Sequence, residues 1–142
     1  MRGIYNSRPP VKTLVPTWSV MIVLRMLKLW SPNDKLDLKH LTYKTIMLLA
    51  LVTTKRCSSL YLLTLNEGYC EIGESTVKFQ PFGLGKTSHD GHVASSIAIE
   101  QFENLDIYPV ACIKMYINKT ESLRTNKALF ITMQKPHKIV QK

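Results

Sequence analysis

Residues 38–52 read LKHLTYKTIMLLALV, and this stretch decides the fold prediction. Leucine and threonine recur at intervals of three and four residues, which is the spacing of one face of a helix. Asp37 is the expected N-cap, because its carboxylate can accept a hydrogen bond from a free amide of the first turn. Lys39, Tyr43 and Lys44 are expected to lie off the inward face. That face is predicted to comprise Leu38, Leu41, Thr45, Leu48, Leu49 and Val52.

Shorter helices are predicted on both sides of this stretch. The apolar residues between Trp18 and Trp30 have helical spacing, and residues 31–34 (SPND) form a break after them. A short helix is predicted from Lys55 to Leu63, with Thr54 as its cap. The first half of the chain is therefore expected to be helical.

The second half has a different texture. Residues 69–72 and 76–80 are predicted to be strands around a turn, and residues 93–100 a third strand. Residues 109–117 have helical spacing, and residues 128–133 form either a strand or a buried segment. Helices followed by a small antiparallel sheet and a further helix predict an α+β fold.

Size and composition limit what the chain can be. With 142 residues and 45% apolar content, it has room for one domain with a core. Residues 1–16 are predicted to be an extended basic arm, and residues 17–142 the domain. Three cysteines without a C-x-x-C pair favour a reducing compartment. The longest apolar run, residues 46–52, is far too short to span a membrane.

The positive charge is concentrated in the first part of the sequence. The formal net charge is +9, and residues 1–60 contribute ten Lys or Arg against two Asp or Glu. This asymmetry favours a polyanionic partner, with nucleic acid first and an anionic membrane surface second. The alternative is a basic domain whose lysines are simply solvated. Charge alone does not separate these two interpretations.

Two cations are candidate phosphate contacts. Arg56 lies near the predicted start of the short helix, where free amides and a guanidinium could face an anion together. Lys86 lies in the glycine-flanked sequence GKTS of residues 85–88, from which a lysine could reach a phosphate. This is no P-loop, because Gln80 stands where the motif needs glycine. The alternatives are a solvated arginine and a hairpin lysine without a ligand.

His89 and His92 form an H-x-x-H pair in a predicted loop. No second closely spaced pair of metal-ligating residues accompanies them, so two solvated histidines are the favoured interpretation. We expect no metal site and no cofactor.

An ordered set of short segments resembles eukaryotic tyrosine recombinases, across residues 8–142. The nearest resemblance is to the recombinases of DIRS, Ngaro and Crypton transposable elements. The segments that carry it are residues 17–20, 23–24, 38–44, 48–51, 55–56, 85–88, 109–110, Tyr116, 120–124, 129–130 and 135–137.

The resemblance implies the first part of a catalytic domain that breaks and rejoins DNA through a tyrosine. Arg56 resembles the first arginine of the family's catalytic set, and Lys86 resembles its β-hairpin lysine. A guanidinium fork suits the charge that a phosphoryl-transfer transition state spreads over its oxygens. A lysine can protonate the leaving oxygen.

The sequence departs from the family pattern after His137. Lys138-Ile139-Val140 follow, so His-x-x-Arg is missing, and all six tyrosines precede that point. We therefore expect a truncated domain that is inactive alone, binds double-stranded DNA and self-associates through uncovered apolar faces. Those faces are expected at Trp18, Trp30 and Leu48-Leu49.

No membrane partner and no small-molecule substrate are expected. The expected location is nuclear if the host is eukaryotic and cytoplasmic otherwise. The alternative function is a noncatalytic protein-interaction module derived from a transposable-element recombinase.

Overall fold

The computed structural model describes residues 19–55, 57–81, 95–100 and 107–140. Its elements are three helices, then one small sheet and then a fourth helix, in the order that the sequence predicts. The helices are α1 (Val20–Leu29), α2 (Leu38–Thr53), α3 (Cys57–Leu60) and α4 (Pro109–Thr120), with 3₁₀ turns at Asn33–Lys35 and Glu121–Leu123. The strands are β1 (Cys70–Ile72), β2 (Thr76–Phe79) and β3 (Ile97–Glu100).

Helix α2 confirms the prediction made from residues 38–52, including its cap. The Asp37 carboxylate accepts a hydrogen bond from the His40 amide at 3.0 Å. The helix ends where Thr54 adopts a left-handed conformation, with φ of 53°. Thr54 therefore terminates α2, and the short helix after it spans only Cys57–Leu60 instead of Lys55 to Leu63.

The core lies between α2, α4 and the sheet. Leu41 and Leu49 of α2 belong to the same buried cluster as Ile113 and Tyr116 of α4. Leu48 is 2% exposed and Leu49 is fully buried, so the prediction that this pair is uncovered is wrong. Helices α1 and α4 cover Leu48, and α4 and the sheet cover Leu49, which is the apolar cover that a truncated domain was expected to lack.

The sheet is antiparallel, with strand order β1-β2-β3. Cys70 pairs with Phe79, and Phe79 pairs with Ile97 on the other side. Alternate residues of β2 and β3 point into the core, since Val77 and Ile99 are fully buried while their neighbours Lys78 and Ala98 are exposed. Helices packed on one face of a small antiparallel sheet make the fold α+β.

The segment after α4 is a buried stretch and not a strand of the sheet. Leu129, Phe130 and Ile131 are buried, which satisfies one of the two predicted alternatives. With the described residues this stretch forms only isolated bridges, from Ala128 to Thr64 and from Ile131 to Ile139.

Lys44 is the clearest departure from the predicted α2 face. It was expected off the inward face, yet its side chain is fully buried. Its ammonium group donates hydrogen bonds to Trp30 O at 2.7 Å and Asn33 Oδ1 at 2.9 Å. These acceptors compensate the charge for the water it loses, which hydropathy spacing does not register.

Candidate functional site

The two residues predicted to contact phosphate, Arg56 and Lys86, lie outside the described residues. Arg56 comes between the end of α2 and the start of α3, and Lys86 belongs to the connection between the antiparallel strands β2 and β3. Residues 1–16, His89 and His92 are also outside the described part of the chain.

Exposed cations prevail on the surface of residues 19–55. Five of the six Lys or Arg side chains there are exposed, against two exposed carboxylates, Asp34 and Asp37. The exposed cations are Arg25, Lys28, Lys35, Lys39 and Lys55. This region therefore carries a positive surface charge, as the charge asymmetry of the sequence predicts.

Lys44 is removed from that surface by its burial. Its three oxygen acceptors all come from residues 30–33, so the ammonium group fixes the turn between α1 and α2. The thiol of Cys112 in α4 interacts electrostatically with the Lys44 ammonium group. Burial raises the pKa of the Cys112 thiol, while the Lys44 charge and an Asn33 hydrogen bond oppose that change. A neutral buried thiol is a poor nucleophile, so this cluster has a structural role.

Arg124 is a second immobilised cation, just after α4. Its guanidinium donates to the carbonyls of Ala128 and Leu129 and, at 2.7 Å, to the Thr120 hydroxyl. It also lies over the Tyr116 ring, 5.7 Å from the ring centre. The Nε–H is buried without a hydrogen-bond partner in the described part of the chain. Burial lowers the pKa of Arg124, which means that its environment does not fully compensate the charge.

A cavity of about 660 Å³ opens beside Arg124. Its walls come from α4, the end of β1 and the loop of residues 124–127. Lys114 closes one side, because its ammonium group donates to Glu74 O at 2.6 Å in the turn between β1 and β2. The charged residues of the lining are Lys114, Arg124, Lys127 and Glu121. Three cations against one carboxylate make this cavity suitable for an anion.

Sequence reasoning missed this cavity. Arg124 entered only as one end of a segment in the family resemblance, and Lys127 not at all. The helical i, i+4 spacing gave no valid signal for the Thr120–Arg124 contact, because α4 ends at Thr120 and Arg124 is extended. The other walls, Leu65 and Ile72, are remote in sequence, and no periodicity connects them to Arg124.

The largest exposed apolar side chains among the described residues include several on α1. Leu29 is 82% exposed, Ile22 66% and Met21 58%. On the inward side of this helix, Leu27 packs with Leu48 of α2 and Cys112 of α4. No helix in the described ranges is long and apolar enough to cross a membrane.

Comparison with known proteins gives no identification: no protein-family model, curated protein or solved structure matches the chain.

Proposed function

We propose that the chain is part of a tyrosine-recombinase catalytic domain that binds the backbone of double-stranded DNA and holds an incomplete catalytic set. The observation that supports this is the position of the two candidate residues relative to the elements around them. Lys86 falls between two antiparallel strands, as a β-hairpin lysine requires, and Arg56 falls between two helices.

The surface charge of residues 19–55 favours the same function. Five exposed cations and two exposed carboxylates leave an excess that DNA phosphates can neutralise. Contacts of this kind position the protein on a duplex without reading its sequence. Binding is therefore expected on unrelated duplexes, and the cellular location is nuclear if the host is eukaryotic.

Within this chain the proposed chemistry stops before strand cleavage. Arg56 would stabilise charge on a backbone phosphate and Lys86 would protonate a leaving oxygen. The second arginine and the nucleophilic tyrosine have no counterpart by motif in the 142 residues. The chain alone should form no covalent adduct with a nicked suicide duplex, and an adduct would identify a tyrosine that acts as nucleophile.

The central experiment measures duplex binding by fluorescence anisotropy over a series of salt concentrations. Arg56→Ala should weaken binding equally for unrelated duplexes and lower the salt slope by about one unit. Arg56→Lys should restore only part of the affinity, because lysine lacks the bidentate fork. Lys138→Ala removes one charge from an exposed lysine elsewhere and is the matched control. If both alanine variants bind alike, net charge explains the binding and the Arg56 proposal is wrong.

The exposed apolar residues of α1 favour a second candidate, a noncatalytic protein-interaction module. Leu29 and Ile22 are the most exposed of these side chains, and an apolar interface would bury them. Such an interface depends weakly on salt, whereas phosphate binding weakens steeply as salt rises. If the chain associates with a protein, or with a second copy of itself, at high salt, and if Leu29→Gln abolishes that association, this candidate is favoured over DNA binding.

A further inference from the structure

We propose that the cavity beside Arg124 binds a nucleotide, with its phosphate held between Arg124 and Lys127. The proposal is independent of Arg56 and Lys86, because it rests on a different part of the molecule. It concerns a 5′-phosphorylated nucleoside, either free or as part of a nucleic-acid strand.

The first support is a fixed cation without a counter-ion. Every acceptor of the Arg124 guanidinium is a neutral oxygen, and no carboxylate forms an ion pair with it in the described ranges. A half-buried charge without a counter-ion is stabilised when an anion binds beside it, since the pairing offsets the lost hydration.

The second support is the arrangement of the two lysines in the lining. Lys127 is exposed, and its ammonium group contacts no acceptor among the described residues, so it is available to a ligand. Its backbone is held in place, because Lys127 O accepts hydrogen bonds from Leu65 N at 2.6 Å and Thr64 Oγ1 at 2.8 Å. Lys114 is anchored to the β1–β2 turn. Lys127 therefore has an unbound ammonium group on a fixed backbone, and it lines the same cavity as the anchored Lys114.

The third support is the part of the cavity that is not charged. Its volume of about 660 Å³ lies within the usual range for organic ligands and far exceeds the need of a bare phosphate. Leu65, Ile72 and Ile117 provide an apolar wall against which a base can pack. Ile72 is 49% exposed in the described structure, and a ligand would cover it.

Two asparagine side chains could pair with polar edges of that base. Asn118 on α4 is exposed, and its amide makes no hydrogen bond to the described part of the chain. Asn126 uses its carbonyl oxygen to accept from Ala128 N at 3.0 Å, which leaves its NH₂ group to donate. Phosphate-binding cations, an apolar wall and free amides together define a nucleotide more closely than any other phosphorylated ligand.

The test is an NMR titration of the amide signals of residues 117–127 at constant ionic strength. Adenosine 5′-monophosphate should shift these signals, and adenosine at the same concentration should shift them much less. Lys127→Ala should weaken nucleotide binding about fivefold to tenfold, as expected for a lost ion pair at an accessible site. Lys138→Ala, which removes a lysine outside the cavity lining, should leave it unchanged.

A second variant separates the base from the phosphate. Asn118→Ala, at an exposed helix position, should weaken nucleotide binding but leave the weak binding of inorganic phosphate unchanged. No shift with the nucleotide beyond that with adenosine would overturn the proposal. So would equal binding by the parent and Lys127→Ala.

The source of the nucleotide is read from a single-stranded oligonucleotide added to the same samples. If the oligonucleotide shifts the amide signals of residues 117–127, and Lys127→Ala reduces those shifts, the cavity binds a nucleotide that belongs to a strand. If only the monophosphate shifts them, the ligand is a free nucleotide. Loss of duplex binding in Arg56→Ala leaves this titration unaffected, so failures of the two proposals are distinguishable.

Discussion

Lys44 and Arg124 are two cations that hold loops at different places on the same pair of packed helices. Lys44 projects from α2 and fixes residues 30–33, whereas Arg124 follows α4 and fixes the chain at residues 128–129. Lys44 is fully buried, with three oxygen acceptors for its three N–H groups. Arg124 is only half-buried, retains an unpartnered Nε–H and faces a cavity.

The difference shows that the surroundings of a buried or half-buried cation decide whether it only stabilises the fold or can also bind a ligand. A buried ammonium group with all its donors used has nothing left to offer a ligand. A guanidinium has five N–H donors, so Arg124 can hold a loop with three of them while its half-buried charge still lines the cavity. The comparison predicts that loss of Lys44 changes stability alone, and that loss of Arg124 changes stability less and binding more.

The largest expected effect is that of Lys44→Met, which keeps the volume of the side chain and removes its charge. The Trp30 carbonyl and the Asn33 side chain would then lose their donor inside the protein. Because hydrogen bonds to a charged donor are strong, we expect a loss of about 2–4 kcal/mol in the free energy of unfolding. Urea unfolding monitored by circular dichroism measures it. A midpoint equal to that of the parent would show that the turn does not depend on Lys44.

A smaller loss is expected for Arg124→Met, about 1–3 kcal/mol, because part of the freed surface can be hydrated from the cavity. Arg124→Lys should recover little of it, since one ammonium group cannot reach three acceptors that a planar fork holds together. The same urea series compares these variants with Lys44→Met. If Arg124→Met is the more destabilising of the two, the contrast between a buried and an open cation fails.

The smallest effect is expected at the exposed start of α2. Asp37→Ala removes the acceptor for the His40 amide and should lower the melting temperature slightly at neutral pH. Asp37→Asn should retain most of the stability, because its side-chain carbonyl can cap as well. The Asp37 variants therefore give the stability change at an exposed site, against which the changes in Lys44→Met and Arg124→Met are compared.

The difference in melting temperature between the parent and Asp37→Ala should depend on pH, because the Asp37 carboxylate titrates. The His40 amide, followed by the His40 side chain, holds the Asp37 pKa below its usual value of 3.8. The stabilisation is therefore present above about pH 3.8 and is lost as the pH falls through the lower pKa of the folded state. Melting curves of the parent and Asp37→Ala should converge in acid. A difference that stays constant down to that range would show that the carboxylate charge does not contribute.

Elements with local causes could be predicted from the sequence alone. The apolar spacing of residues 38–52 and the Asp37 cap specify α2, and both act within a few residues of the chain. The alternation in β2 and the turn before it likewise predict a hairpin, which the register of β1 and β2 confirms. The α+β class follows from the order of these local patterns.

The sites depend on contacts that no local pattern encodes. Lys44 reads as a solvated helix residue until Trp30 O, 14 residues away, is brought to its ammonium group. The prediction that Leu48-Leu49 is exposed failed because other elements cover the pair. Leu48 packs with Leu27 of α1 and Cys112 of α4, and Leu49 belongs to the core shared with α4 and the sheet.

The sequence by itself determined the helices, the hairpin, the fold class and the excess of positive charge, because each depends on composition or on neighbours along the chain. Only the tertiary structure decided which cations are buried and which line a cavity. Leu65, Ile72, Lys114 and Lys127 come from four separate segments, and they meet because burial of the core packs α4 against the sheet and Lys114 contacts the β1–β2 turn. Burial and charge compensation are properties of the assembled core, so they arise only when those segments come together.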